Sequence, residues 1–555
     1  MISVLLIFAY LLGTTYLAGF GIWQLLHHKV KCQTVHVDGY LMTGFVTIVV
    51  YAQIYSLFDK VGLRANLLLC AALALLGWCL RRQLREHLRR LRFTITPVRT
   101  GVMALLLLLF AYGTSRGILH YDTALYHAQS IHWLESYRII PGLGNLHSRL
   151  AYNSAAFPVS ALYSFSFLGG QSYHCVAGFL AFCLCKVCAD AVRKDRARKP
   201  LLSDLARLTC VYYLMNIFKE MISPSSDYFM VLLVFYIVIR YLDLIEKGEK
   251  SYLPYAMLCV LCACNVTVKL SAAMLLLLTI KPAVMMLREK RILEIIKFLL
   301  LGVGAVLPFL IRNVILSGWM VYPVTAIDLF DVDWKIPVGM AEYDAREIKV
   351  WGRGYTDVAQ YEKPLADWLP DWFAAQSSVD KVFLLLAGAS LVILILALLY
   401  MLWKKKWQYA DWMLVSGTMA AAFLFWMFSA PLIRYGCVYV WMTPVLILGG
   451  GYLKFTTHFD RYRIFYIILI LAGCYKAFAF GRETAGSFSA EYMLTQKDYE
   501  NFKTQSYELH GYTFYYPEQG DQTGYEDFPA APIQAEDIFR GTTLEDGFQA
   551  INGVK

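Results

Sequence analysis

One short stretch of the chain is crowded with groups that can hold or move a proton. It runs through Arg116, His120, Tyr121, Asp122, Tyr126, His127, Trp133, Arg138, Asn145, His147, Arg149, Asn153 and Ser154. Five of the 11 histidines (His120, His127, His132, His147 and His174) fall in it or just beyond it. Asp122 follows the apolar segment 100–115 by a few residues, which sets a carboxylate close to a bilayer surface, where a charge needs a reason to be. Two roles stand open. Asp122 is the N-cap of the helix that follows, with a structural ion pair to Arg149 or Arg116. Alternatively, it is a general base that takes the proton of an acceptor hydroxyl. A metal site from His120, Asp122 and His127 lacks the spacing of a tight ligand motif.

Cationic positions recur at the edges of later apolar segments. Lys269 lies in Asn265-Val-Thr-Val-Lys269-Leu-Ser271, Arg312-Asn313 leads toward Tyr322-Pro323, and Arg434-Tyr435 follows Pro431. Arginine stays charged in low dielectric and grips phosphate through a planar fork, but a single one also serves as a snorkelling anchor. Ser223-Pro-Ser-Ser-Asp227 reads as a turn with a cap, or as the wall of a polar cavity. The expectation is that Asp122, Lys269, Arg312 and Arg434 converge on one side of a membrane, with His120, His127, Asn145, Arg149, Asn153, Asp227 and Tyr322 around them.

The elements that must position these residues are membrane helices. Of the 555 residues 58% are hydrophobic and 17% charged, and the mean hydropathy is +0.49, which excludes an ordinary soluble enzyme. Apolar segments at roughly 2–23, 39–57, 64–80, 100–115, 172–191, 204–219, 227–244, 252–267, 270–286, 296–312, 380–402, 410–429, 436–453 and 463–480 predict an all-α polytopic protein of about fourteen spans. The first is expected as a retained span. Segment 156–169, broken by Pro158, is expected to lie against the membrane. Tyr126, Trp133 and Tyr137 share a helical face, which predicts a helix lying along the bilayer interface.

The net charge of +10 sits in short clusters between spans, a sign of orientation and not of nucleic-acid binding. Seven clusters (27–31, 81–92, 193–199, 247–250, 288–297, 404–406 and 454–463) all fall on one side of that topology, so both termini are expected on the other. The 13 cysteines lie mostly in apolar segments and read as small lipid-compatible residues. The expected divisions are 1–99, N-terminal spans with a basic linker; 100–312, a core with a first outer loop 116–171; 313–379, a second outer loop; 380–480, C-terminal spans; and 481–555, a small tail packed on the loops.

The run Tyr121-Asp122-Thr-Ala-Leu-Tyr126-His127, with Pro141-Gly-Leu-Gly-Asn145-Leu-His147-Ser-Arg149 and Asn153-Ser154, resembles a bacterial family of multi-spanning membrane proteins related to GT-C glycosyltransferases. Ser223–Asp227, Lys269–Ser271, Arg312–Pro323 and Pro431–Arg434 are similar to that family's later motifs. The resemblance implies a GT-C-like helical bundle in the inner membrane, for which the charge clusters make both termini periplasmic. It implies a polyprenyl-phosphate sugar donor, a glycan or lipid acceptor, a catalytic Asp122, and phosphate contacts from Lys269, Arg312 or Arg434. Some superfamily members use a divalent cation. Many carry paired acids in this loop, whereas Asp122 has no acidic neighbour before Glu135.

The expected function is therefore transfer of a lipid-linked sugar at the outer face, for cell-surface glycan synthesis. Its rivals are a polysaccharide polymerase or ligase, a transporter or flippase of lipid-linked glycans, and a non-catalytic assembly subunit.

Overall fold

The computed structural model describes residues 1–27, 36–94, 96–189, 201–455 and 459–550. The expected basic cluster 193–199, most of 27–31 and part of 454–463 lie outside them. The chain begins with α1 (Ile2–His27), α2 (Val37–Tyr55), α3 (Leu63–Cys79), α4 (Arg81–Thr94) and α5 (Pro97–Ser115). Thr96 starts α5 by accepting from the Arg99 N–H, and Pro97 takes the first helical position, where its missing N–H has no consequence. The first long loop holds α6 (Ala128–Ser136) and α7 (Ala156–Leu162). Next come α8 (Val176–Ala189), α9 (Leu202–Asn216), α10 (Ser226–Glu246) and α11 (Tyr252–Val268). A tight 3-10 segment, Leu270–Thr279, leads into α12 (Ile280–Arg288), and α13 (Ile292–Ser317) follows.

The second long loop holds α14 (Val338–Gly352) and α15 (Leu365–Ala375). The helical part closes with α16 (Ser378–Trp403), α17 (Ala410–Ser429), α18 (Ile433–Pro444), α19 (Gly450–Phe455) and α20 (Phe459–Gly486). In the tail, β1 (Thr504–Leu509) and β2 (Tyr512–Pro517) form an antiparallel hairpin. His510 and Gly511 turn it with φ of 52° and 78°, the left-handed pair that matches strand twist in a two-residue turn.

Among the described residues nine helical stretches are long and apolar enough to cross a bilayer. The bent pair α3–α4, at 83°, would make a tenth. Their outward faces are apolar too: Leu385, Ile395, Leu396 and Leu399 of α16 are all exposed. In water such a face would aggregate; in lipid it is the required surface. This is the construction of a multi-pass helical membrane protein. Within the described residues each of the expected stretches falls on or overlaps a helix, but α8, α9 and α11 have only 14, 15 and 17 residues, short of the length that identifies a span by itself.

Packing also relies on close backbone approach. Gly19 of α1 and Gly44 of α2 face each other, and a Cβ on Gly44 would overlap the Thr15 carbonyl. Small residues at a membrane helix crossing permit this contact.

Two expectations for the first loop are corrected. Segment 156–169 does not lie against the membrane at its helical part: every residue of α7 is buried in the core. The helix bearing Trp133 is not an interfacial one either. Trp133 is 2% exposed and packs against Phe528 and Phe548, because the tail supplies an apolar cover. The expected docking of the tail on the loops is present, with Phe514, Ile538, Phe539 and Phe548 sharing one core with Ile140, Leu143 and Leu150.

Candidate functional site

Four segments distant in sequence bring their polar ends together at one end of the helix array. Ser225 caps α10 by accepting from the Asp227 N–H, which turns the Asp227 side chain inward on the first turn. Lys269 is the residue at which α11 stops, extended at φ −155°, and its ammonium pairs with Asp227 Oδ1. Arg434 opens α18, and Asp122 precedes the wide turn Thr123–His127, in which the Ala128 N–H reaches five residues back to the Thr123 carbonyl. Single turns of this width are frequent at functional sites.

Arg434 is the hub. Its Nη2 lies 2.6 Å from Asp122 Oδ2, and its Nε lies 3.5 Å from Asp227 Oδ2. Its Nη1 contacts the ring of His120, whose backbone N–H is held by the Ser223 hydroxyl at 2.7 Å. Tyr435 completes the group, with the Lys269 ammonium 3.5 Å from its ring centre. Two acids and two cations thus balance. The Asp227 side chain is 6% exposed and that of Arg434 30%, so Asp227 forms the floor and Arg434 the accessible rim. Burial, and then the Arg434 charge, lower the pKa of His120 and favour its neutral form.

A second group adjoins the first through aromatic rings. Tyr126 packs edge-on against Tyr152 at 5.9 Å, and Tyr152 donates to Asp344 Oδ2 at 2.6 Å. Arg149 lies 3.4 Å from Glu347 and 4.3 Å from the Trp351 ring centre. Burial raises both carboxyls, Asp344 and Glu347, above the usual range. The Tyr322 ring lies tilted against that of Tyr152, centres 5.9 Å apart. Sequence reasoning missed Asp344, Glu347 and Tyr435. The signal for the acids was present, since Asp344 and Glu347 are three apart and share one helical face in a loop expected at the same side.

The remaining expectations divide. Asp122 does not act as an N-cap: its side chain makes no capping bond, because it is turned to Arg434. Nor is its partner Arg149, which holds Glu347, or Arg116, which donates to the Ser489 and Glu491 carbonyls of the tail. His127 is 1% exposed between Tyr126 and Phe157. Asn145 ties the loop, donating to the Gly142 and Trp334 carbonyls. Asn153 donates to the Phe309 carbonyl and accepts from Arg312. Arg312 does not join the cluster; its bonds go to Asn153 and Ser56. Among the described residues no three His, Cys, Asp or Glu side chains are grouped to hold a metal ion.

The tail fastens the loop that carries Asp122. Tyr121 donates to Asp521, Gln522 donates to the Tyr121 carbonyl at 3.0 Å, and the Thr523 and Gly524 N–H groups both reach the Ala124 carbonyl. The start of α1 lies at the same end, with the Met1 amine 2.8 Å from the Thr495 carbonyl. The basic positions 247–250, 288–297 and 404–406 sit at the opposite helix ends.

At that far end stands a different charge network. Arg240 bridges Asp38 and Asp243 at 2.6 and 2.8 Å, and Arg207 holds Asp243 at 2.6 Å. Along α10 this lies about 20 Å from Asp227, at 1.5 Å rise per residue.

Residues 1–441 match the family described as Domain of unknown function (DUF8201). The chain belongs to the DUF8201 family. The matched residues include Asp122, Asp227, Lys269, Asp344, Arg434 and Tyr435, and the tail that covers the loop lies beyond them. No curated protein and no solved structure matches the chain.

Proposed function

We propose that this chain is a membrane glycosyltransferase that takes its sugar from a polyprenyl-phosphate donor at the outer face of the inner membrane. In this reading it is a GT-C-like bundle of about fourteen spans, with the Asp122 end and both termini periplasmic. The observation that carries the proposal is the Arg434 hub: one guanidinium at a partly open rim, shared by Asp122 and Asp227 and backed by Lys269. The basic clusters at the opposite helix ends support the orientation.

The geometry suggests how such a site would work. With its cations paired, the resting cluster is neutral. An arriving donor phosphate competes for Arg434 and Lys269, as a doubly hydrogen-bonded anion can. Asp122 then loses its partner and becomes a free carboxylate beside the sugar. It accepts the acceptor hydroxyl's proton while the acceptor oxygen attacks the anomeric carbon. The bond from that carbon to the phosphate oxygen breaks, and polyprenyl phosphate leaves, its charge held by Arg434 and Lys269. The acceptor is a glycan or lipid hydroxyl in this scheme.

The test is sugar transfer from a polyprenyl-linked donor by purified Asp122→Asn, with its thermal unfolding matched to the parent. The expected result is a loss of at least about 100-fold, the scale of a general base. Near-normal turnover in a folded variant removes Asp122 from this role. Long products on gels would point to a polymerase or ligase.

A second reading, movement of a lipid-linked glycan, is favoured by a largely apolar cavity of 380 Å³ at the far end, bordered by Trp23, Asp38, Met42, Arg240 and Lys247. Transfer of labelled lipid across vesicles with no new glycosidic bond would select it.

A further inference from the structure

Arg312 is a buried cation without an acid. It is 3% exposed, near the end of α13. Its Nε–H donates to Asn153 Oδ1 at 3.1 Å and its Nη1 to the Ser56 hydroxyl, both neutral groups. Among the described residues it has no ion-pair partner. Arg207, the other deeply buried arginine among them, holds Asp243 at 2.6 Å. A guanidinium taken out of water without a counter-charge loses several kcal/mol of solvation, so a chain that keeps one buried needs compensation.

Beside Arg312 lies a cavity of 20 Å³. Its polar lining is Ser130, Trp133, Arg138, Tyr152, Asn153 and Arg312, and no carboxylate among the described residues borders it. The Ser130 hydroxyl and the Trp133 indole N–H are buried and have no partner. Arg138 is exposed at the edge. The walls are therefore rich in donors: two guanidiniums and an indole N–H, with a hydroxyl that can serve in either role. Asn153 Oδ1 already takes the Arg312 Nε–H and the Tyr152 hydroxyl is turned to Asp344, which leaves the Ser130 hydroxyl, able to donate or accept, as the unpartnered acceptor among the lining side chains. A water has two lone pairs to offer the three groups that can only donate, the Arg312 and Arg138 guanidiniums and the Trp133 indole, whereas a monoatomic anion can accept from all of them. The volume holds about one water-sized particle, too little for a phosphate with four oxygens.

We infer that this cavity binds a single monoatomic anion of the halide class, which serves as the counter-ion of Arg312 and fastens α13 to the first loop. The site is separate from the Arg434 cluster and does not depend on the transferase reading. It takes Arg312 out of the set that would meet a donor phosphate.

The test uses the purified full-length protein in detergent, unfolded by heat at constant ionic strength in sodium gluconate while chloride or bromide replaces gluconate. The expected result is a saturable rise of a few degrees with either halide, and a bromide anomalous peak against Arg312 and Trp133 in crystals grown in bromide. Arg138→Gln, at the exposed edge, should raise the half-saturating concentration roughly tenfold, the loss of one charge-assisted contact. Arg312→Gln should abolish the halide response. Equal midpoints in gluconate and chloride, with no bromide peak, would overturn the proposal in favour of water. Stabilisation by inorganic phosphate but not by halide would overturn it in favour of a phosphate-binding cleft. Sugar transfer, measured separately, is the readout for the Asp122 mechanism, so either idea can fail alone.

Discussion

Acid should loosen the tail from the helical body, and two histidines should drive it. The His132 ring stacks on Tyr525 and Phe528, at 4.3 and 4.0 Å, and its Nδ1 lies 3.0 Å from the Tyr525 carbonyl. His174 stacks on Tyr499 at 4.5 Å, and Tyr499 on Tyr525 at 4.8 Å, so one column of rings joins the first loop to the tail. Burial pushes His132 down to about 4 and His174 down to about 3. Both values lie below the ~6.5 of a free imidazole, so below pH ~6.5 the undocked state binds more protons and docking weakens as pH falls. At 1.36 kcal/mol per pH unit, each ring contributes a loss of about 2 kcal/mol by pH 5, about 4 kcal/mol for the pair. Glu135 acts in the opposite sense. Burial raises its carboxyl, which Tyr525 and Ser172 hold, so it favours docking as it takes up a proton and offsets part of the loss. The assay is amide exchange of segment 521–531 at pH 7.5 and 5.0, corrected for intrinsic rates. Protection in the parent should fall on the order of 100-fold or more. It should change little in the His132→Phe, His174→Phe double variant. An equal fall in both proteins, or none in the parent, would refute the assignment.

Three further outcomes follow from the packing. Arg434→Lys keeps the charge but cannot reach Asp122, Asp227 and His120 together, so, if the proposed transfer reaction holds, its initial rate should drop by about 100-fold with a small change in thermal stability. Arg240→Met leaves Asp38 and Asp243 buried without their shared cation; detergent unfolding should register a loss of about 3–5 kcal/mol, and an unchanged midpoint would show that the far-end network is not structural. Gly44→Leu drives a side chain into the Thr15 carbonyl and should destabilise by at least about 1–3 kcal/mol, whereas Gly451→Leu, with open space around it, should be tolerated.

Much of the helical plan was legible in the chain itself. Transfer of an apolar segment into lipid depends on that segment's own side chains, so stretches such as 380–402 and 227–244 declare themselves without knowledge of their neighbours. Caps are equally local: Ser225, Thr96 and Ser377 each mark a helix start by bonding to an N–H two or three residues away. The basic clusters also follow from short-range charge, and those within the described residues lie away from the Asp122 end. Even the candidate residue types were visible, for Asp122, Asp227, Lys269 and Arg434 all stand at the edges of apolar segments.

Which acid meets which cation was decided only by tertiary packing. Hydropathy carries no record of how each helix is rotated or which helix stands beside it; that depends on the fit of apolar faces and small residues, which leaves no period in the sequence. So Asp122 finds Arg434, 312 residues away, and neither of the nearer arginines proposed for it. Arg312, alike in type and setting, ends beside a small cavity rich in donors. Asp344 and Glu347 meet Tyr152 and Arg149 because α14 folds back over the first loop, and Trp133 is buried because a tail some 400 residues later supplies its cover. Local composition set where the chain enters lipid, and the packing of distant surfaces set which charges share a site.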